Sequence, residues 1–71
     1  MANSVYRVTE IVGTSSESWE AATRTAVETA STTLRDLRIA EVVRLDVTID
    51  DGRVATYRAR PNVSFKYEGG D

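Results

Sequence analysis

Residues 45–59 read LDVTIDDGRVATYRA, and this stretch decides the fold. Asp50-Asp51-Gly52 is a hairpin signal, because aspartate and glycine tolerate the positive φ values that tight turns need. After it, Ala55, Tyr57, Ala59, Pro61, Val63, Phe65 and Tyr67 alternate with Thr56, Arg58, Arg60, Asn62, Ser64 and Lys66. That period of two is a β-strand. Before it, Ile39, Val43, Leu45, Val47 and Ile49 share one parity, interrupted by Glu41, and Ala40, Val42, Arg44, Asp46 and Thr48 take the other, which predicts a strand over Ala40–Ile49. The turn makes the two strands antiparallel. Pro61 cannot donate to a ladder, so it predicts an edge, a bulge or the end of pairing on one side.

Working back along the chain, SVYRVTEIVG (residues 4–13) is rich in β-branched and aromatic residues and predicts a strand over Val5–Val12 ended by Gly13. Tyr6, Val8 and Val12 fall on one face of it and Val5, Arg7, Thr9 and Ile11 on the other. TSSE at 14–17 fits a capping box, Thr14 capping and Glu17 reaching back, so a helix is expected from about Ser15. Trp19, Ala22, Thr23, Ala26, Ala30, Thr33, Leu34 and Leu37 then recur at spacings of three and four, a mostly apolar stripe in which Trp19 reads as a core residue. About two dozen residues would make a helix of about 35 Å, matching strands of about 33 Å, so that one helix covers one face of the sheet.

The order strand, helix, strand, turn, strand is an α+β unit, a three-stranded antiparallel sheet on one long helix, forming a single domain over residues 1–71 with a polar tail from about residue 68. A chain of 71 residues buries only about 60% of its unfolded surface, and without cysteine or histidine it has neither disulfides nor a zinc site to supplement its core. One helix cannot shelter both faces of the sheet, and Val5, Ile11, Ala40 and Val42 on the outer side ask for cover. Self-association supplies it.

The missing residue types also prune the chemistry. Without imidazole or thiol there is no Ser-His-Asp or Cys-His arrangement, and the carboxylates show no paired-acid spacing, so an enzyme is not expected. A net charge of −2 argues against nucleic acid as a partner. No apolar run reaches membrane-spanning length and MANSVYRVTE lacks the regions of a signal peptide, so a cytoplasmic protein without a membrane partner is expected.

Several stretches together resemble the dodecins: YRVTEIVGTSSESWEAA (6–22), LRIAEVV (37–43), TYRA (56–59) and VSFKYEGG (63–70). The resemblance implies a β-α-β-β subunit assembled as a hollow homododecamer with 23 symmetry, which stores or buffers flavins (FMN, FAD or riboflavin) at subunit interfaces and is not a catalyst. In that family an aromatic platform after the helix stacks on the flavin ring; here the matching position is Ile39. A polar amide on the last strand matches Arg58, and a position near the ribityl chain matches Arg44. An aliphatic side chain without a π face and two fixed positive charges both point away from flavin. SWE at 18–20, the aliphatic residue at 39 and TYR at 56–58 instead resemble a divergent, calcium-binding dodecin-like subgroup. The leading expectation is therefore a small-ligand or divalent-cation binder with the flavin site lost; the alternative is a flavin binder with a pocket remodelled around Ile39 and Arg58.

Calcium takes six to eight oxygen ligands, and the candidate carboxylates for Ca2+ are Glu41, Asp46, Asp50 and Asp51. Asp50 and Asp51 read more simply as turn residues, although a threefold axis could gather one carboxylate from each of three subunits. For Arg38, Arg44, Arg58 and Arg60 two readings stand: they meet Glu41, Asp46 and Glu68 of neighbouring subunits, or they form a solvated outer face. Arginines lining a lumen or pore would admit anions such as phosphorylated nucleotides.

Overall fold

A computed structural model describes residues 5–66, as five elements: β1 (Tyr6–Glu10), β2 (Gly13–Ser15), α1 (Trp19–Ala30), β3 (Leu37–Asp50) and β4 (Arg53–Lys66). The expected α+β class is what forms. The polar tail lies outside the described residues, as does Glu68. β3 and β4 make the hairpin read from Asp50-Asp51-Gly52, with Asp51 at φ 54° and Gly52 at φ 75°. Two consecutive left-handed residues match the right-handed twist of the strands they join. β4 is central, with β3 on one side and β1 and β2 on the other, all antiparallel.

β1 and β2 are one strand broken by one proline. Glu10 lies opposite Asn62 and Gly13 opposite Ala59, so the pairing register is unchanged across the gap. Within the gap the Ile11 N–H donates to the Pro61 carbonyl at 3.0 Å, but Pro61 has no N–H to return to Ile11. On its other side Pro61 faces Val42, where β3 bulges: Val42 pairs with Pro61 and Arg44 with Arg60, leaving Val43 as an extra residue. Pro61 thus sits in the middle of the sheet, at a bulge and a broken ladder, and it is almost completely buried.

The helix is half the expected length. Ser18, not Thr14, is the N-cap, its Oγ accepting from the Ala21 N–H at 2.9 Å. Thr14 continues the first strand opposite Arg58, and the Glu17 N–H donates to Ser15 Oγ at 2.9 Å instead of Glu17 closing a capping box. At the other end the hydroxyls of Ser31, Thr32 and Thr33 turn back on the carbonyls of Glu28, Thr29 and Ala30, competing with the helix for those acceptors. Asp36 at φ 58° then redirects the chain into β3. Thr33, Leu34 and Leu37 keep helical spacing in sequence only.

A helix of 12 residues spans about 18 Å, whereas strands of 14 residues span about 46 Å, so α1 covers only part of its face. It lies over β2 and β4 and scarcely touches β3. The contact is close because it is built from small residues: Ala22, Ala26, Ala59 and Gly13 are all buried. A Cβ on Gly13 would run into the Ala22 carbonyl oxygen and come within 2.8 Å of Ala26 Cβ. Gly13 therefore serves close approach of helix to strand rather than a strand end.

The bulges also change which side of β3 is which. Ala40 and Val42 pair with Val63 and Pro61 and so share the helix side with Leu45 and Val47, while Ile39 and Glu41 join Arg44 and Asp46 on the outer side. The strict alternation read from the sequence breaks at Val43. Val42 and Leu45 remain exposed on the helix side, beyond the reach of α1.

Candidate functional site

The outer face of the sheet carries the charged residues of β3 and β4. Asp46 and Arg58 lie directly opposite each other in the ladder, and their side chains form a two-point clamp: Arg58 Nε donates to Asp46 Oδ1 at 2.7 Å and Nη2 to Oδ2 at 2.9 Å. The hydrogen bonds from Arg58 lower the Asp46 carboxyl below its usual range; partial burial works the other way, and the charges of Arg58, Arg60 and Arg44 reinforce the lowering. The same bonds raise the Arg58 guanidinium, so both partners stay charged. This corrects one expectation, since Asp46 meets an arginine of its own chain.

Asp46 is held a second time through its backbone. The indole Nε1 of Trp19 donates to the Asp46 carbonyl at 3.0 Å, and the Trp19 ring meets Tyr57 edge-on, centroids 5.2 Å apart at 74°. Trp19 is 37% exposed, so it works less as core filler than as a strut from the first turn of α1 to the helix side of the sheet.

Beside the clamp, Arg44 and Arg60 stand directly opposite each other, and Arg60 reaches Glu10 only loosely, Nε to Oε2 3.8 Å. Val12, Arg44, Asp46, Arg58, Ala59 and Arg60 line a shallow cleft there. Sequence reading named Arg44, Arg58 and Arg60 but missed Glu10 and Val12 as their neighbours. The signal was available in strand parity, because Glu10 and Val12 share the side of Tyr6 and Val8, which pair with Lys66 and Ser64.

Ile39 lies farther along the same outer face, opposite Ser64 and 61% exposed. Of the other acidic candidates, Glu41 pairs with Asn62 on this face, Asp50 faces Arg53 at the end of the hairpin, and Asp51 is the turn residue itself. Among the described residues no three acidic side chains come together within one chain. Arg38 is exposed and forms the extra residue of a second bulge, between Leu37 and Ile39.

The dodecin family model matches residues 5–68. The chain belongs to the dodecin family. It is 44% identical over 63 residues to the calcium dodecin of Mycobacterium tuberculosis, spanning 89% of each protein. The solved structure of that calcium dodecin, a calcium-chelating antigen with a novel calcium-binding site, superposes with a TM-score of 0.81 at 42% identity, covering 96% of this chain and 97% of the other. The dodecin of Streptomyces coelicolor superposes with a TM-score of 0.89 at 43% identity, covering 99% of this chain and all of the other. The fold of this chain is therefore that of a dodecin. Among its described residues no helix is long and apolar enough to cross a membrane.

Proposed function

We propose that this dodecin is a non-catalytic, cytoplasmic homododecamer that binds or buffers a small ligand or a divalent cation and has lost the stacking site for flavin. The observation that carries the reading is Ile39. The residue matching the family's aromatic platform is aliphatic, open on the outer face, and unable to offer a π face to an isoalloxazine ring. Arg58 supports it, since the position matching a neutral amide holds a guanidinium already committed to Asp46. Association has a physical cause in this subunit as well. Ile39, Val42, Val43, Leu45, Ile49 and Val54 are all exposed along one hairpin, apolar surface on both faces that neighbouring copies would cover.

For a cation, the similarity to calcium dodecin makes Ca2+ the first ion to test. Asp46 is a poor ligand while Arg58 occupies both its oxygens, which leaves Glu41, Asp50 and Asp51, gathered from several subunits about an axis, as the candidate set. The test is light scattering followed by two titrations of the assembled protein. The reading expects a twelve-subunit mass, little quenching of flavin fluorescence, and heat with a rise in melting temperature on adding Ca2+. Strong quenching by riboflavin or FMN would favour a remodelled flavin pocket, and a folded monomer would overturn the reading altogether.

A further inference from the structure

Around the cleft three guanidiniums stand beside two carboxylates, Asp46 and Glu10, while Glu41, the third acid of the outer face, lies opposite Asn62 and does not line it. Arg58 spends two of its five N–H groups on Asp46, leaving three. Arg60 reaches Glu10 at 3.8 Å, too far for a hydrogen bond, and Arg44 has no hydrogen-bond or ion-pair partner among the described residues. Arg44 and Arg60 are moreover a directly opposed cross-strand pair, an arrangement in which like charges destabilise a sheet. The Asp46–Arg58 clamp holds one guanidinium at a fixed angle next to these two, with Val12 as the apolar wall of the cleft.

From this we infer that the cleft between Arg44, Arg58 and Arg60 is a site for a small polyanion, a phosphate ester or diphosphate group, with Arg44 and Arg60 as the residues that select for it. A phosphoryl group offers several oxygens to planar N–H forks, and its charge turns the opposed arginines from a repulsive pair into two arms of one receptor. Asp46 is a positioning residue here: it fixes Arg58 and touches no guest. The inference rests on the ligand-binding reading above and narrows it, because a cationic cleft cannot be the Ca2+ site.

Calorimetric titration with inorganic pyrophosphate, on the assembled protein at constant ionic strength, tests it. Saturable binding is expected, weakened about tenfold or more by Arg44→Gln and by Arg60→Gln, the loss of one charge-assisted contact in each case. Arg24→Gln, on the exposed side of α1, leaves binding unchanged. Titrations of the same preparation with Ca2+ and with riboflavin keep the two ideas separable. Binding of either together with no heat from pyrophosphate sinks the polyanion site and spares the ligand-binding reading, as does pyrophosphate binding that both glutamine variants leave within twofold. Arg44 and Arg60 engaged by carboxylates of a neighbouring subunit give the same negative result and overturn the inference. Silence from all three titrants overturns both.

Discussion

The indole N–H of Trp19 donates to the backbone carbonyl of Asp46 at 3.0 Å, tying the start of the helix to the residue whose side chain grips Arg58 from the other side of the sheet. One strand position thus joins the packing of the helix to the charge of the sheet's outer face. Trp19→Phe keeps an aromatic ring beside Tyr57 but removes this bond together with part of the indole's packing. Denaturant unfolding of that variant should show a loss of at least about 1 kcal/mol, the net worth of an ordinary hydrogen bond, with the lost packing added to it. A loss below about 0.3 kcal/mol, inside the spread of neutral surface changes, would mean that the strut is idle.

The helix crossing predicts a larger cost. Gly13→Ala forces a Cβ into the Ala22 carbonyl and against Ala26, both in backbone or helix that cannot turn aside. We expect about 3 kcal/mol of destabilisation, or failure to fold, measured by thermal and denaturant melts. Gly52→Ala, by contrast, meets nothing in space and suffers only from its left-handed φ of 75°. It should cost about 1 kcal/mol.

The sign of the Asp46 shift fixes a pH dependence. Its carboxyl is held below the usual range when folded, so the clamp contributes stability that is fully present above the unfolded value near 3.9 and is lost as pH falls through the lower folded value. Acid titrations from pH 5 to 2 followed by NMR should place the Asp46 transition below the ordinary aspartate range. In Arg58→Gln the Asp46 transition should move back up towards the ordinary range. If it stays where it was, Arg58 is not the cause.

Pro61 makes a prediction about the backbone. Pro61→Ala restores an N–H opposite the Ile11 carbonyl, in a register already kept on both sides of the gap. The new amide should be protected from hydrogen exchange, with β1 and β2 behaving as one strand. The buried ring leaves a small void in return, so the variant gains order at residues 11 and 12 without gaining stability. Fast exchange at residue 61 would show that the break has another origin.

Flavin provides the last check. Ile39→Trp together with Arg58→Gln supplies a π face and removes a fixed charge, and should strengthen flavin binding by about fivefold or more, read by fluorescence quenching. No gain would mean that the pocket has been lost beyond these two positions.

How much of this was legible in the sequence depended on how local its cause was. Asp51 and Gly52 determine their turn by themselves, and the antiparallel pairing of the last two strands followed from it. The helix was overextended because Thr33, Leu34 and Leu37 fall at helical spacing, while what stops the helix is hydroxyl groups on Ser31 and Thr32 bonding to carbonyls three residues back. In the site, Ile39, Arg44 and Arg58 could be named as positions, and Asp46 as an acid. That Asp46 belongs to Arg58 of its own chain depends on register, which alternation alone does not set once bulges intervene.

Val43, the residue left over between Val42 and Arg44, carries the widest consequence. Because the bulge takes it up, Ile39 and Glu41 look out from the same surface as Arg44 and Asp46; an unbroken pleat over the same residues would present isoleucine and arginine, five positions apart, to opposite worlds. What a guest would encounter is thus governed by the length of backbone between two side chains as much as by the side chains themselves.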